Sequence, residues 1–170
     1  MSAIIEEMTT VPTNKAFLEV CMSIEGLCAD LYHYYSERYR DVPEASRLWK
    51  KTALEEENHQ RQFELALLLS EQVEYDVTRV SLKRAYSIES ALQKFVAQVK
   101  RNTPDLLTAV SRAVEMEEIL SELHANQCLR FKDDSIQGLF KAMNEADNEH
   151  MVALQRYLTI LNLPQCEMCG

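Results

Sequence analysis

This sequence predicts an all-α fold: a bundle of four long helices with a long crossover, containing a shorter helix, between the second and the third. Three observations lead there. Only three glycines and four prolines occur in 170 residues, too little turn-forming material for an all-β or doubly wound fold. Apolar side chains recur at three- and four-residue steps over long stretches. The breaks between those stretches are brief, except for one link of about 30 residues between Gln72 and Asn102.

Taken in order, the first helix is expected from Thr13 to about Arg38, with Phe17, Val20, Ile24, Leu27, Leu31 and Tyr35 along one stripe. The stretch "DVPEAS" ends it and places Pro43 in the first turn of a second helix, expected from Glu44 to about Glu71. Within the long link, "IESALQKFVAQVKR" reads as the shorter helix. In "NTPDLL", Thr103 is the expected N-cap, Pro104 the first helical position, and Asp105 a charge on the positive end of the dipole. That third long helix should end near Phe131. "KDDS" caps the fourth, which runs to about Asn162 before Pro164. The domain reading is an N-terminal arm (1–12), the bundle (13–163) and a short Cys-x-x-Cys tail (164–170). A long link lets helices two and three run parallel while brief links make antiparallel neighbours, which is the up-down-crossover order of ferritin-like bundles.

Composition also narrows function. A net charge of −9 opposes a nucleic-acid surface, which needs clustered Lys and Arg. No apolar run is long enough to span a membrane, and "MSAIIEEMTTVPT" lacks the basic start and apolar core of a secretory signal. Five cysteines, an odd number without a disulfide-like framework, fit a reducing compartment. The expectation is a cytoplasmic helical protein with neither nucleic-acid nor membrane partners.

The two halves of the chain resemble each other. "IEGLCADLY" aligns with "MEEILSELH", matching Glu25 with Glu117 and Tyr32 with His124. "LEEENHQ" aligns with "EADNEHM", matching Glu56 with Asp147 and His59 with His150, at a period of about 91 residues. A duplicated helical hairpin accounts for both. Each acidic group falls on the apolar stripe of its helix, so it should point into the bundle. A buried carboxylate must be neutralised, paired or metal-bound, and Lys and Arg are scarce on those stripes.

Glu25, Glu56, Glu117 and Asp147 together balance two divalent ions. A glutamate from each of two helices plus Glu-x-x-His from the other two is a known ligand pattern for dinuclear sites in such bundles. The i, i+3 spacing brings carboxylate and imidazole onto one face. The mixed donor set suits iron or manganese, and zinc also fits. Glu55, Glu57, Glu118, Glu122, Glu145 and Glu149 read as solvated faces. Cys21 and Cys28, flanking Glu25, read as small core residues.

On "IEGLCADLY", "LEEENHQ", "VEMEEILSELH" and "ADNEHM", the chain resembles the rubrerythrin branch of the ferritin-like superfamily over roughly residues 15–162. The resemblance implies a non-haem di-iron centre, a homodimer, an electron donor of unknown identity, and reduction of hydrogen peroxide or oxygen. By position it implies bridging carboxylates at Glu25 and Glu117, terminal ones at Glu56 and Asp147, and nitrogen ligands at His59 and His150.

The chain departs from the pattern in three places. Asp147 stands for the usual glutamate, Val114 for an additional carboxylate one turn before Glu117, and His124 for the usual tyrosine. Tyr32 reads as a hydrogen-bond donor near the metals or as a core aromatic; His124 reads as such a partner, an extra ligand or a packed histidine. Cys166 and Cys169 in "CEMCG" form one pair of the kind a rubredoxin-like module supplies twice. They read as a thiol-bearing tail, or else as half of a metal site or redox pair. Non-enzymatic iron storage or sensing, and a metal-free bundle with a decayed site, are the alternative functions.

Overall fold

The computed structural model describes the backbone of residues 2–69, 79–124 and 133–163, and the side chains of 14–69, 82–123, 133–142, 145 and 149–163. Among these residues the chain forms five helices and no strand: α1 (Ser2–Arg38), α2 (Pro43–Leu68), α3 (Arg79–Arg101), α4 (Leu106–His124) and α5 (Asp134–Asn162). None of them is long and apolar enough to cross a membrane.

α1 buries the stripe its sequence announces, with Phe17, Cys21, Ile24, Cys28, Leu31, Tyr32 and Tyr35 sealed from solvent. It begins at Ser2 and not near Thr13. Residues 3–8, "AIIEEM", contain no helix breaker, and Pro12 removes one backbone donor without ending the helix. A short turn leads into α2, where Pro43 takes the first position as expected. The two helix ends are fastened reciprocally: Ser36 Oγ donates to the Ser46 carbonyl and Ser46 Oγ to that of Ser36, each at 3.0 Å. Gly26 faces α2, and a Cβ there would lie 2.6 Å from Gln60 Nε2.

α3 is longer than the helix expected in the link, and it packs against α1. It also meets α4, where Arg84 pairs with Glu122 at 2.6 Å and the Arg112 guanidinium lies over the Phe95 ring. α4 is capped by Asp105, which accepts from Thr108 N and Thr108 Oγ1 at 2.9 Å each. The expected cap, Thr103, is displaced from that role because its hydroxyl bonds to that of Tyr34. Asp133 caps α5 by accepting from Ser135 N and Ile136 N, and α5 ends at Asn162 as expected.

Contacts along the helices set their directions. Tyr39 OH donates to the Pro104 carbonyl at 2.7 Å, at the start of α4, while Tyr32 donates to Glu117 farther along it. α1 and α4 are therefore antiparallel, as α1 and α2 are. α5 packs on α4 and reaches α2, where the Phe63 and Phe140 rings meet edge-on at 5.1 Å. Between these helices lies a core whose largest sealed side chains include Trp49, Tyr32, Tyr35, Phe17 and Phe63.

Candidate metal centre

Among the described residues, three carboxyl and two imidazole side chains sit inside this apolar core. Glu25 comes from α1, Glu56 and His59 from α2, Glu117 from α4 and His150 from α5, and none is more than 4 % exposed. Helical periodicity explains each placement. Glu25 follows Ile24 on the α1 stripe, Glu56 and His59 continue the buried row Trp49, Thr52 and Ala53, and Glu117 lies between Val114 and Leu120. Carboxylates are buried at this depth only when protonated, paired or holding a cation.

The donors fall into two groups that share one residue. Glu25, Glu56 and His59 form the first, and Glu56, Glu117 and His150 the second; within each, the donor atoms lie within 4.8 Å of one another. In the first, His59 Nδ1 is 3.2 Å from Glu56 Oε2 and 3.6 Å from Glu25 Oε2. In the second, His150 Nε2 is 2.9 Å from Glu117 Oε2 and 3.4 Å from Glu56 Oε1. The two imidazole rings are 5.9 Å apart. Carboxylate oxygens and imidazole nitrogens converging on two adjacent points make a donor set suited to a pair of divalent ions.

Without a cation, burial and the mutual repulsion of the carboxylates favour protonated groups in the cluster. Burial pushes the Glu56 carboxyl well above the usual range, and the neighbouring Glu117 and Glu25 push it further. Burial alone would lower the His150 imidazole, but its contacts with Glu117 and Glu55 outweigh that and hold it at about 11. Burial and the adjacent Glu117 raise the Tyr32 hydroxyl well above its ordinary value. Glu56 Oε1 and His150 Nδ1 make no hydrogen bond among the described residues. A metal ion binding here would have to displace such protons.

The expected ligands thus divide by where they fall. Glu25, Glu56, His59, Glu117 and His150 come together. The side chains of Asp147 on α5 and His124 at the end of α4, and the pair Cys166 and Cys169, lie outside the described residues. Glu56 is the carboxylate common to both groups, whereas the resemblance assigned bridging to Glu25 and Glu117. Tyr32 OH donates to Glu117 across the bundle, not to its own helix neighbour Glu25. Val114 is buried at its position before Glu117, and Cys21 and Cys28 are buried core residues.

Glu55 corrects the reading of "EEENHQ". It is half-buried, and its Oε2 lies 3.6 Å from His150 Nδ1, an ion-pair separation too long for a hydrogen bond. Burial raises its carboxyl, but His150 and Lys51 outweigh that and bring it below its ordinary value. With Nε2 turned to Glu117 and Nδ1 to Glu55, the His150 ring is held from both sides. The signal was present in the spacing: Glu55 is four residues before His59, one turn away along the helix. Glu57 behaves as a surface residue, pairing with His33 at 2.8 Å and with Arg61.

Compared with profiles of known protein families, with curated proteins and with solved structures, the chain matches none.

Proposed function

We propose that this chain is a rubrerythrin-like bundle of the ferritin-like type that holds two iron ions and reduces hydrogen peroxide or oxygen. The observation that carries the reading is the pair of buried three-donor groups joined through Glu56. The up-down-crossover order draws support from α1 running antiparallel to both α2 and α4. That leaves α2 and α4 pointing the same way, a relation that the stretch containing α3 permits.

Bound in this site, a pair of iron ions supplies the two electrons that cleave an O–O bond. The chain's own residues supply the rest. Glu56 would serve both positions, with His59 and Glu25 holding one and His150 and Glu117 the other. Tyr32 donates its hydroxyl to Glu117 Oε1, fixing the orientation of that carboxylate and leaving Oε2 to face His150. Glu55 keeps the His150 ring turned so that Nε2 points to the cluster. These groups are at most 4 % exposed, and apolar residues on the same helices, among them Ile24, Trp49, Phe63 and Leu154, are fully buried, so bulk water is kept from the cluster.

Metal analysis of protein produced in iron-rich medium tests this reading. Two irons per chain and peroxide consumption on addition of a reductant are expected. Fewer than one metal per chain would establish a bundle with a decayed site. Stoichiometric oxidation followed by growth of a mineral core would establish storage.

A further inference from the structure

We propose that Tyr32, Trp49 and Tyr35 form an electron path from the Glu/His cluster to the molecular surface where α1 ends and α4 begins. The proposal rests on the redox reading of the cluster given above. Tyr32 touches the cluster directly through its hydrogen bond to Glu117. Its ring stacks on Trp49 with centroids 5.4 Å apart, and Trp49 lies 4.9 Å from Tyr35. From Tyr35 the rings continue to Tyr39 at 5.7 Å and to the partly buried Tyr34 at 6.1 Å. Those last two hydroxyls bond to Pro104 and Thr103, in the link before α4.

Core filling alone does not explain this choice of residues. Among the described residues Trp49 Nε1 and Tyr35 OH are buried without a hydrogen-bond partner. Phenylalanine or leucine would fill the same space without leaving those donors unsatisfied. What indole and phenol offer, and phenyl does not, is an accessible one-electron oxidation. The hydrogen-bond pattern also divides the roles. Tyr32 has a carboxylate to receive its proton, whereas Trp49 has no acceptor among the described residues and keeps its own.

The electron and proton count then closes. One peroxide takes the two electrons of the ferrous pair. A second, present in excess, needs two more to become water. Tyr32 gives the first of them while its phenolic proton passes to Glu117, leaving a neutral phenoxyl. Trp49 gives an electron to that phenoxyl, which takes its proton back from Glu117. Trp49 is left one electron short with Nε1–H intact. Tyr35, lacking an acceptor, bridges without losing its proton. A small one-electron reductant of the ascorbate class then refills Trp49 from the Tyr34 and Tyr39 end. Each passage carries one electron inward and leaves every side chain as it began.

Trp49 is the only tryptophan in the chain, so an isotope label on tryptophan marks this station alone. The experiment mixes ferrous-loaded protein with excess hydrogen peroxide, freezes it rapidly and records the radical by electron paramagnetic resonance, with and without ring-deuterated tryptophan. A signal that narrows on deuteration places the hole on Trp49, as expected. Trp49→Phe, checked for folding by circular dichroism and for metal content, should retain the first oxidation by peroxide. It should slow ascorbate-driven turnover by roughly tenfold or more and lengthen the life of the Tyr32 radical. If peroxide oxidises the metal while deuteration leaves the signal unchanged and the variant turns over normally, the path is wrong and the redox reading stands. A protein that takes up no metal, or whose ferrous form ignores peroxide, overturns both.

Discussion

The Nε2 atom of His150 lies 2.9 Å from Oε2 of Glu117, a contact between residues 33 positions apart that ties α5 to α4 inside the core. The same nitrogen is 3.4 Å from Glu56 on α2, so one imidazole joins two hairpins. The consequences for substitution differ sharply from residue to residue.

Glu56 belongs to both donor groups and Glu25 to one. Glu56→Ala should therefore remove both metals, while Glu25→Ala should leave the Glu56, Glu117 and His150 position filled. Metal content per chain after gel filtration separates them. Equal losses in the two variants would show that Glu56 is not shared.

Glu55 acts on His150 from the side opposite the cluster. Glu55→Gln keeps the size of the side chain but removes the charge facing Nδ1, and should weaken metal binding by about 10- to 100-fold. Competition with a chromogenic chelator measures this, and unchanged far-ultraviolet circular dichroism shows that the fold survives.

In the metal-free protein, acid should stabilise and base destabilise. Folded His150 keeps its proton up to about 11, whereas an unfolded imidazole loses it near 6.5. Folded Glu56 likewise keeps a proton that the unfolded carboxyl releases near 4.5. The native state thus binds more protons, and each extra one lowers stability by about 1.4 kcal/mol per unit of rising pH. With metal bound these protons are gone, so the dependence should flatten or reverse. Thermal unfolding from about pH 5.5 to 8, with chelator and with ferrous iron, checks both halves of the statement.

Gly26→Ala should raise stability by about 0.5–1 kcal/mol, since glycine costs that much in a helix interior. The new Cβ would come within 2.6 Å of Gln60 Nε2, the free end of a flexible side chain that can swing aside. Denaturant unfolding measures the gain, and metal content should not change. A loss of stability would mean that Gln60 is held in place.

Much of this arrangement is legible in the residues themselves. The stripes of α1, α2, α4 and α5 carry Glu25, Glu56, His59, Glu117 and His150 inward because burial follows helical period, a local property. What escapes a local reading depends on partners distant in the chain. Thr103 looks like a helix cap until Tyr34, 69 positions away, engages its hydroxyl and Asp105 takes over. Glu55 sits one residue from Glu56, about 100° around the helix, and only the arrival of His150 from α5 turns its side chain from a surface charge into part of the site. Sharing of Glu56 between two groups is likewise set by how the hairpins meet, which no spacing within one helix encodes.

The cluster draws Glu25, Glu56 and His59 from the α1–α2 hairpin, and Glu117 and His150 from α4 and α5. It therefore lies on the seam between two halves, each with packing of its own. Chelation should loosen that seam before it melts any helix. Hydrogen exchange would then quicken first at Glu56, His59, Glu117 and His150, while the turn locked by Ser36 and Ser46 stays protected. A chain emptied of metal would open from its middle outward, and its resistance to proteases would track the supply of the ion.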